Sequence, residues 1–107
     1  MAGVNKVIVI GNLLADPQLK HTANGNSIAK LTVATTEKWT DKEGKNRETV
    51  ELHRIVAFGR LADICAELLE KGQLLCIEGR LQTRRVDDDD GNKRWTTDIV
   101  AINITLL

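Results

Sequence analysis

The chain has 107 residues, with 15 Lys plus Arg balanced by 15 Asp plus Glu and 28% of positions charged. That length suits one domain, residues 1–107, with a modest core. Zero net charge excludes bulk attraction to polyanions, so any nucleic-acid surface must come from how the charges are arranged. No apolar run approaches membrane-spanning length, and the opening MAGVNKVIVIGN lacks the basic segment and cleavage site of a secretory signal. A cytoplasmic protein without a membrane partner is expected. Cys65 and Cys76 are too few for a disulfide framework or zinc knuckle, and each reads as a small buried apolar residue.

VNKVIVIGNLL opens as a strand rich in Val and Ile. Its centre, Val7 to Ile10, is apolar on both faces, so one face lines a core and the other needs a cover from another element or subunit. Asn24-Gly25 predicts a turn, followed by a second strand, SIAKLTVATTEKW. After a turn centred on Gly44, RETVELHRIVAFG forms the third strand, with Val50, Leu52, Arg54, Val56 and Phe58 on one face. RLADICAELLEKG is the one helical segment: Leu61, Ile64, Cys65, Leu68 and Leu69 make an apolar stripe, with Gly72 as its C-cap. Two more strands follow, QLLCIEGRLQTRRV and KRWTTDIVAINITLL, joined through Asp90-Gly91. In the last, Val100, Ile102, Ile104 and Leu106 are expected to alternate onto one face. Five strands with one helix between the third and fourth predict an all-β fold, the Greek-key barrel called the OB-fold.

Catalytic chemistry finds no support. His21 and His53 accompany no nucleophile or carboxylate pattern, and no phosphate-binding glycine loop is present. Asp87 to Gly91 fails as a calcium loop, because Val86 and Thr97 would occupy the first and twelfth ligand positions. It reads as a solvated hairpin tip. The sequence implies no enzyme, metal or cofactor.

Binding has more to draw on. Stacking a base needs an exposed ring beside cations that hold phosphates. The chain has only two Trp and one Phe, yet Trp39 stands in the polar ribbon EKWTDKEGKNRE, beside Lys38, Lys42, Lys45 and Arg47. Phe58, followed by Arg60, repeats the pairing and is open between core and contact. Trp95 follows Lys93 and Arg94 and is expected to pack or to meet another subunit. The apolar run Leu74, Leu75, Cys76, Ile77 suggests burial on both faces, hence a strand-mediated subunit contact through Leu74 and Cys76.

The blocks GVNKVIVIGNLLADPQLK, Asn24-Gly25 with LTVAT and Trp39, ELHRIVAFGRLADICAELLEKG, IEGRLQTRR and TTDIVAINI together resemble the bacterial single-stranded DNA-binding protein (SSB) family. The similarity covers essentially the whole chain. It implies an OB-fold that binds single-stranded DNA with little sequence preference, in replication, recombination or repair. A homotetramer is implied, with a dimer as fallback, in a cytoplasmic, nucleoid-associated setting. Trp39 and Phe58 become stacking platforms. Lys6, Lys20, Arg54, Arg60, Lys71, Arg84 and Arg85 become phosphate contacts, with Lys42 beside Trp39, and His53 becomes a subunit-interface residue. Two positions depart from the family's ring-rich members: Leu52 and Val86 stand where Trp is common, so weaker binding per subunit is expected. Replicative members continue into a flexible, acidic-tipped tail, whereas this sequence ends at Leu107; tail-dependent replication and repair partners are therefore not expected. Two competing readings remain. A primosomal replication-restart OB-fold would be a helicase-binding dimer, and a protein-interaction OB domain would be indifferent to loss of Trp39.

Overall fold

The structure, a computed structural model, describes residues 2–107. Its elements are β1 (Val7–Leu13), β2 (Gln18–His21), β3 (Ser27–Thr40), β4 (Asn46–Phe58), α1 (Arg60–Leu68), β5 (Leu74–Asp87) and β6 (Lys93–Leu106). Hydrogen bonds order the strands β1-β5-β6-β4-β3-β2, and a further pairing of β1 with β3 closes five of them into a barrel. All neighbours are antiparallel except β4 and β6, which run parallel over Ile55↔Ile99 and Val56↔Val100. This is the expected OB-fold, with its helix between the third and fourth barrel strands. The sixth strand, β2, escapes the apolar pattern because all four of its residues are exposed. It is an edge strand that pairs with β3 from Gln18↔Lys30 to His21↔Ser27.

Period-two alternation fills the barrel. Val9 and Leu13, then Ala29, Leu31 and Val33, then Ile55 and Ala57, Leu75 and Ile77, and Ile99 and Ala101 supply its buried cluster. Closure demands a close approach at Gly11. A Cβ there would lie 2.3 Å from the Ala34 carbonyl oxygen, so only glycine lets β1 cross onto β3. The last strand departs from the single alternating face expected. Glu78 pairs with Asn103 but Gly79 pairs with Ala101, leaving Ile102 as an extra residue. The bulge reverses the parity of β6. Ile99, Ala101 and Ile104 face the core side, while Ile102 stands 69% exposed.

The helix also ends sooner than its sequence stripe. Leu69 is extended, its N–H still bonded to the Cys65 carbonyl. The next two N–H groups are taken by Gln73 Oε1 and by Asp16 Oδ1, at 3.1 and 2.8 Å, so Gly72 serves the turn into β5 rather than a helix cap. Ala62 and Cys65 are buried, with Leu61 and Leu69 packed behind them; Ile64 and Leu68 face outward. Burial pushes the Cys65 thiol up from its usual value, whereas Cys76 is only half-buried, against expectation. Ser27 Oγ donates to Asp63 Oδ1, fastening α1 to the start of β3.

Three hairpins use one turn frame. In Thr22–Asn26, Asp41–Lys45 and Asp88–Asn92 the first and fifth residues pair, and the glycine N–H bonds the first carbonyl. The glycines Gly25, Gly44 and Gly91 hold φ of 83°, 79° and 79°. The first side chain accepts from the fifth N–H: Thr22 Oγ1 at 3.1 Å, Asp41 Oδ1 at 2.9 Å and Asp88 Oδ1 at 2.7 Å.

Candidate nucleic-acid interface

Cross-strand register builds the site. Lys20, Ile28 and Phe58 form one row across β2, β3 and β4; Gln18, Lys30 and Val56 form the next; Thr32 lies beside Arg54. All point away from the core, because Ala29, Leu31, Ile55 and Ala57 take the inward positions. Phe58 is therefore not a core residue; it is 50% exposed, at the end of β4. A cleft beside it is lined by Lys30, Val56, Phe58, Gln82, Arg84 and Asp98. A second hollow continues from it past Gln18, Thr32 and Arg54.

Between these hollows lies Asp98, 6% exposed. Its carboxylate accepts from Arg84 Nε at 3.1 Å and faces Arg54 Nε at 3.5 Å. Arg54 Nη2 also donates to Thr96 Oγ1. Both arginines keep more than half of their side-chain surface open, at 62% and 55% for Arg54 and Arg84. The face thus joins a ring, two lysines and two arginines around the Asp98 carboxylate, with a second acid, Asp16, on the wall of the second hollow.

Trp39 stands apart from this cluster. Its strand runs unbroken from Ile28, the partner of Phe58, to Thr40, so pleating puts odd-numbered Trp39 and even-numbered Ile28 on opposite faces of the twisted ribbon. Trp39 is 46% exposed and borders a cleft with Lys38, Thr40, Asn46, Arg47 and Glu48. Its cross-strand partner is Arg47, whose Nε donates to Asp41 Oδ2 at 2.9 Å. Asp41 is thereby held below its ordinary carboxylate value, chiefly by the Lys45 backbone N–H and then by the Arg47 guanidinium. Lys42 is exposed in the same turn.

Other expected site residues scatter. Arg84 and Arg85 are adjacent, so they point to opposite faces: Arg84 pairs across from Thr96 and Arg85 from Trp95. Lys6 precedes β1, beside Asn5, whose side chain exchanges two 2.8 Å hydrogen bonds with the Leu81 backbone. Arg60 is exposed at the first turn of α1, and Lys71 is exposed in the turn that follows the helix. His53 bonds Thr35 Oγ1 at 2.8 Å and is half-buried. The consecutive run at the start of β5 is not buried on both faces of this chain. Leu75 and Ile77 fill the core, while Leu74 is 42% exposed. Leu74 shares an open apolar face with Ile8, Ile10, Cys76 and Ile102. Trp95 does not pack within the chain; it is 71% exposed. Lys30 and Asp98 were missed in the sequence. The signal for Lys30 was a polar residue alternating with Ala29 and Leu31; Asp98 was marked only as a lone acid entering an apolar run.

A five-stranded closed barrel of this topology defines the OB-fold class, here with one ring and several cations on its open sheet face. The model of the family described as "Single-strand binding protein family" matches residues 4–107, and the chain belongs to that family. It is 48% identical over 106 residues to "Single-stranded DNA-binding protein 1" of Chlorobaculum tepidum, covering 98% of this chain and 65% of the relative. Among solved structures, an SSB complex with ssDNA from Plasmodium falciparum superposes with a TM-score of 0.91 at 25% identity, over 100% of this chain and 97% of that one. A deletion variant of the single-stranded DNA-binding protein from Thermus aquaticus gives 0.86 at 39% identity, over 98% and 51%.

Proposed function

We propose that residues 1–107 form one OB-fold domain that binds and protects single-stranded DNA without sequence preference, in replication, recombination or repair. The observation that carries this reading is the outward face where Phe58 stands half exposed among Lys20, Lys30, Arg54 and Arg84. A flat apolar ring surrounded by cations suits base stacking with the backbone held alongside. Trp39, with Lys38, Lys42 and Arg47, offers a second platform farther along the ribbon. Lys6, Arg60, Lys71 and Arg85 are peripheral phosphate contacts in this scheme. The named relatives, a single-stranded DNA-binding protein and an SSB seen with ssDNA, support the ligand assigned.

The domain binds rather than catalyses, and needs no cofactor. Its open apolar face, with Ile8 and Ile10 at 60% and 56% exposure, is suited to a homotetramer, and His53 and Leu74 fall to its subunit contacts. A cytoplasmic, nucleoid-associated location fits that ligand. Titration with oligo-dT, followed by Trp fluorescence at low and high salt with duplex DNA as control, tests the function. Quenching by the single strand alone, weakened by salt, is expected; equal response to duplex, or none, refutes it.

A further inference from the structure

Asp98 is the only buried charged residue among the described residues. A carboxylate withdrawn from water is costly unless paired, and one lying in a face that receives phosphates repels the ligand. Sheet order explains its presence. Arg54 and Arg84 come from β4 and β5, the two strands that flank β6, which carries Asp98. Two guanidinium groups leaning over one strand repel each other, and each long side chain samples many rotamers. Sharing Asp98 through their ε nitrogens, at 3.5 and 3.1 Å, offsets the repulsion and anchors both stems. The anchored edge is the inner one, so terminal nitrogens remain for a ligand; Arg54 Nη2 is steadied meanwhile by Thr96 Oγ1.

We propose that Asp98 is a positioning residue of the strand-binding face: it holds Arg54 and Arg84 as a preset pair that meets phosphate oxygens without releasing the carboxylate. This rests on the single-strand reading above. Asp98→Asn removes a negative charge from the face, so simple electrostatics predicts tighter binding, whereas loss of positioning predicts weaker binding. The expected result in oligo-dT titrations is a roughly tenfold loss of affinity, from the ordering cost of two freed arginines. The slope of log affinity against log salt should fall in magnitude by about 0.7 for each phosphate that is no longer neutralised. Equal or tighter binding overturns the proposal and makes Asp98 a competitor of phosphate. If the unaltered chain binds no oligo-dT, the functional reading fails, and the proposal with it; binding by the unaltered chain with undiminished binding by Asp98→Asn refutes the proposal alone. Should Asp98→Asn lose its cooperative melt, nitrogen NMR of the unaltered protein decides. The Arg54 and Arg84 Nε–H resonances should hold on adding oligo-dT while their terminal N–H resonances move. Displacement of the Nε–H signals means that the arginines leave Asp98 for the DNA, and overturns the proposal.

Discussion

The two long hairpins share a turn and differ in what the turn carries. The β3–β4 tip reads Asp41-Lys42-Glu43-Gly44-Lys45, and the β5–β6 tip reads Asp88-Asp89-Asp90-Gly91-Asn92 with Asp87 before it. Each sets a Trp across from an Arg, Trp39 with Arg47 and Trp95 with Arg85. In both, the opening aspartate accepts backbone N–H groups two and four residues on. Only the first and fourth positions are dictated by the frame, so the remaining ones are free to set charge. One arm uses that freedom for lysines near its ring; the other surrounds its tip with acids. Asp41 reaches further and holds Arg47, so one arm presents its cation in a fixed place.

The comparison breaks most sharply on the rings. Trp39→Ala should weaken oligo-dT binding by roughly 1–3 kcal/mol, the usual worth of a base stack. Trp95→Ala should cost clearly less, because its arm ends in like charge to the ligand. Equal losses in a fluorescence-independent assay such as filter binding would make the arms equivalent. Next in size is the separation of adjacent arginines. Arg84→Ala should lower the salt slope by about 0.7, while Arg85→Ala, a peripheral contact on the opposite face, should lower it by clearly less. An equal drop from both would place a strand on each face.

Changing Asp87 to Asp90 together to Asn should tighten binding a few-fold at low salt. The gain should vanish near 0.1 M, where the screening length is about 10 Å. A gain that persists would put the tip in direct contact with DNA. The smallest effect is in the basic arm's turn. Asp41 has its carboxyl lowered from 3.8, so the charged form is the bonded one. Its contribution is complete above the unfolded-chain value and is lost as pH falls through the lower, folded value. Amide shifts of Glu43 and Lys45 should follow that titration in acid, and Asp41→Asn should abolish it without disturbing the Asp90 and Asn92 amides.

Much of the barrel was legible because alternation and turn residues repeat so regularly. The strand–helix order, the placement of Trp39 on an exposed ribbon and the apolar first strand all follow from residue type and spacing. What escaped depends on contacts distant in sequence. The bulge at Ile102 shows itself only against Glu78 and Gly79, so the even-numbered face expected for β6 was inverted halfway along. The strand at Gln18–His21 has no apolar signature, since none of its four residues enters the core and Leu19 alone is apolar. Lys30 entered the candidate site only through register with Gln18 and Val56. Asp98 needed arginines from two other strands before its burial made sense. Family resemblance marked single residues, but not that neighbours such as Arg84 and Arg85 part company.

The barrel's closure has a mechanical consequence. One half consists of β2, β3 and β4 and the other of β1, β5 and β6, and they meet along two seams. The first holds Asn12↔Ala34 and Leu13↔Val33 and the second Ile55↔Ile99 and Val56↔Val100, two residue pairs apiece. Such a shell has hinges where other sheets have long ladders, and amides along the seams should exchange sooner than those within each half. Phe58, Lys30 and Arg54 ride on one half and Arg84 and Asp98 on the other. A polyanion laid over both would act as a strap across the second seam, so that occupancy itself slows the opening of the shell.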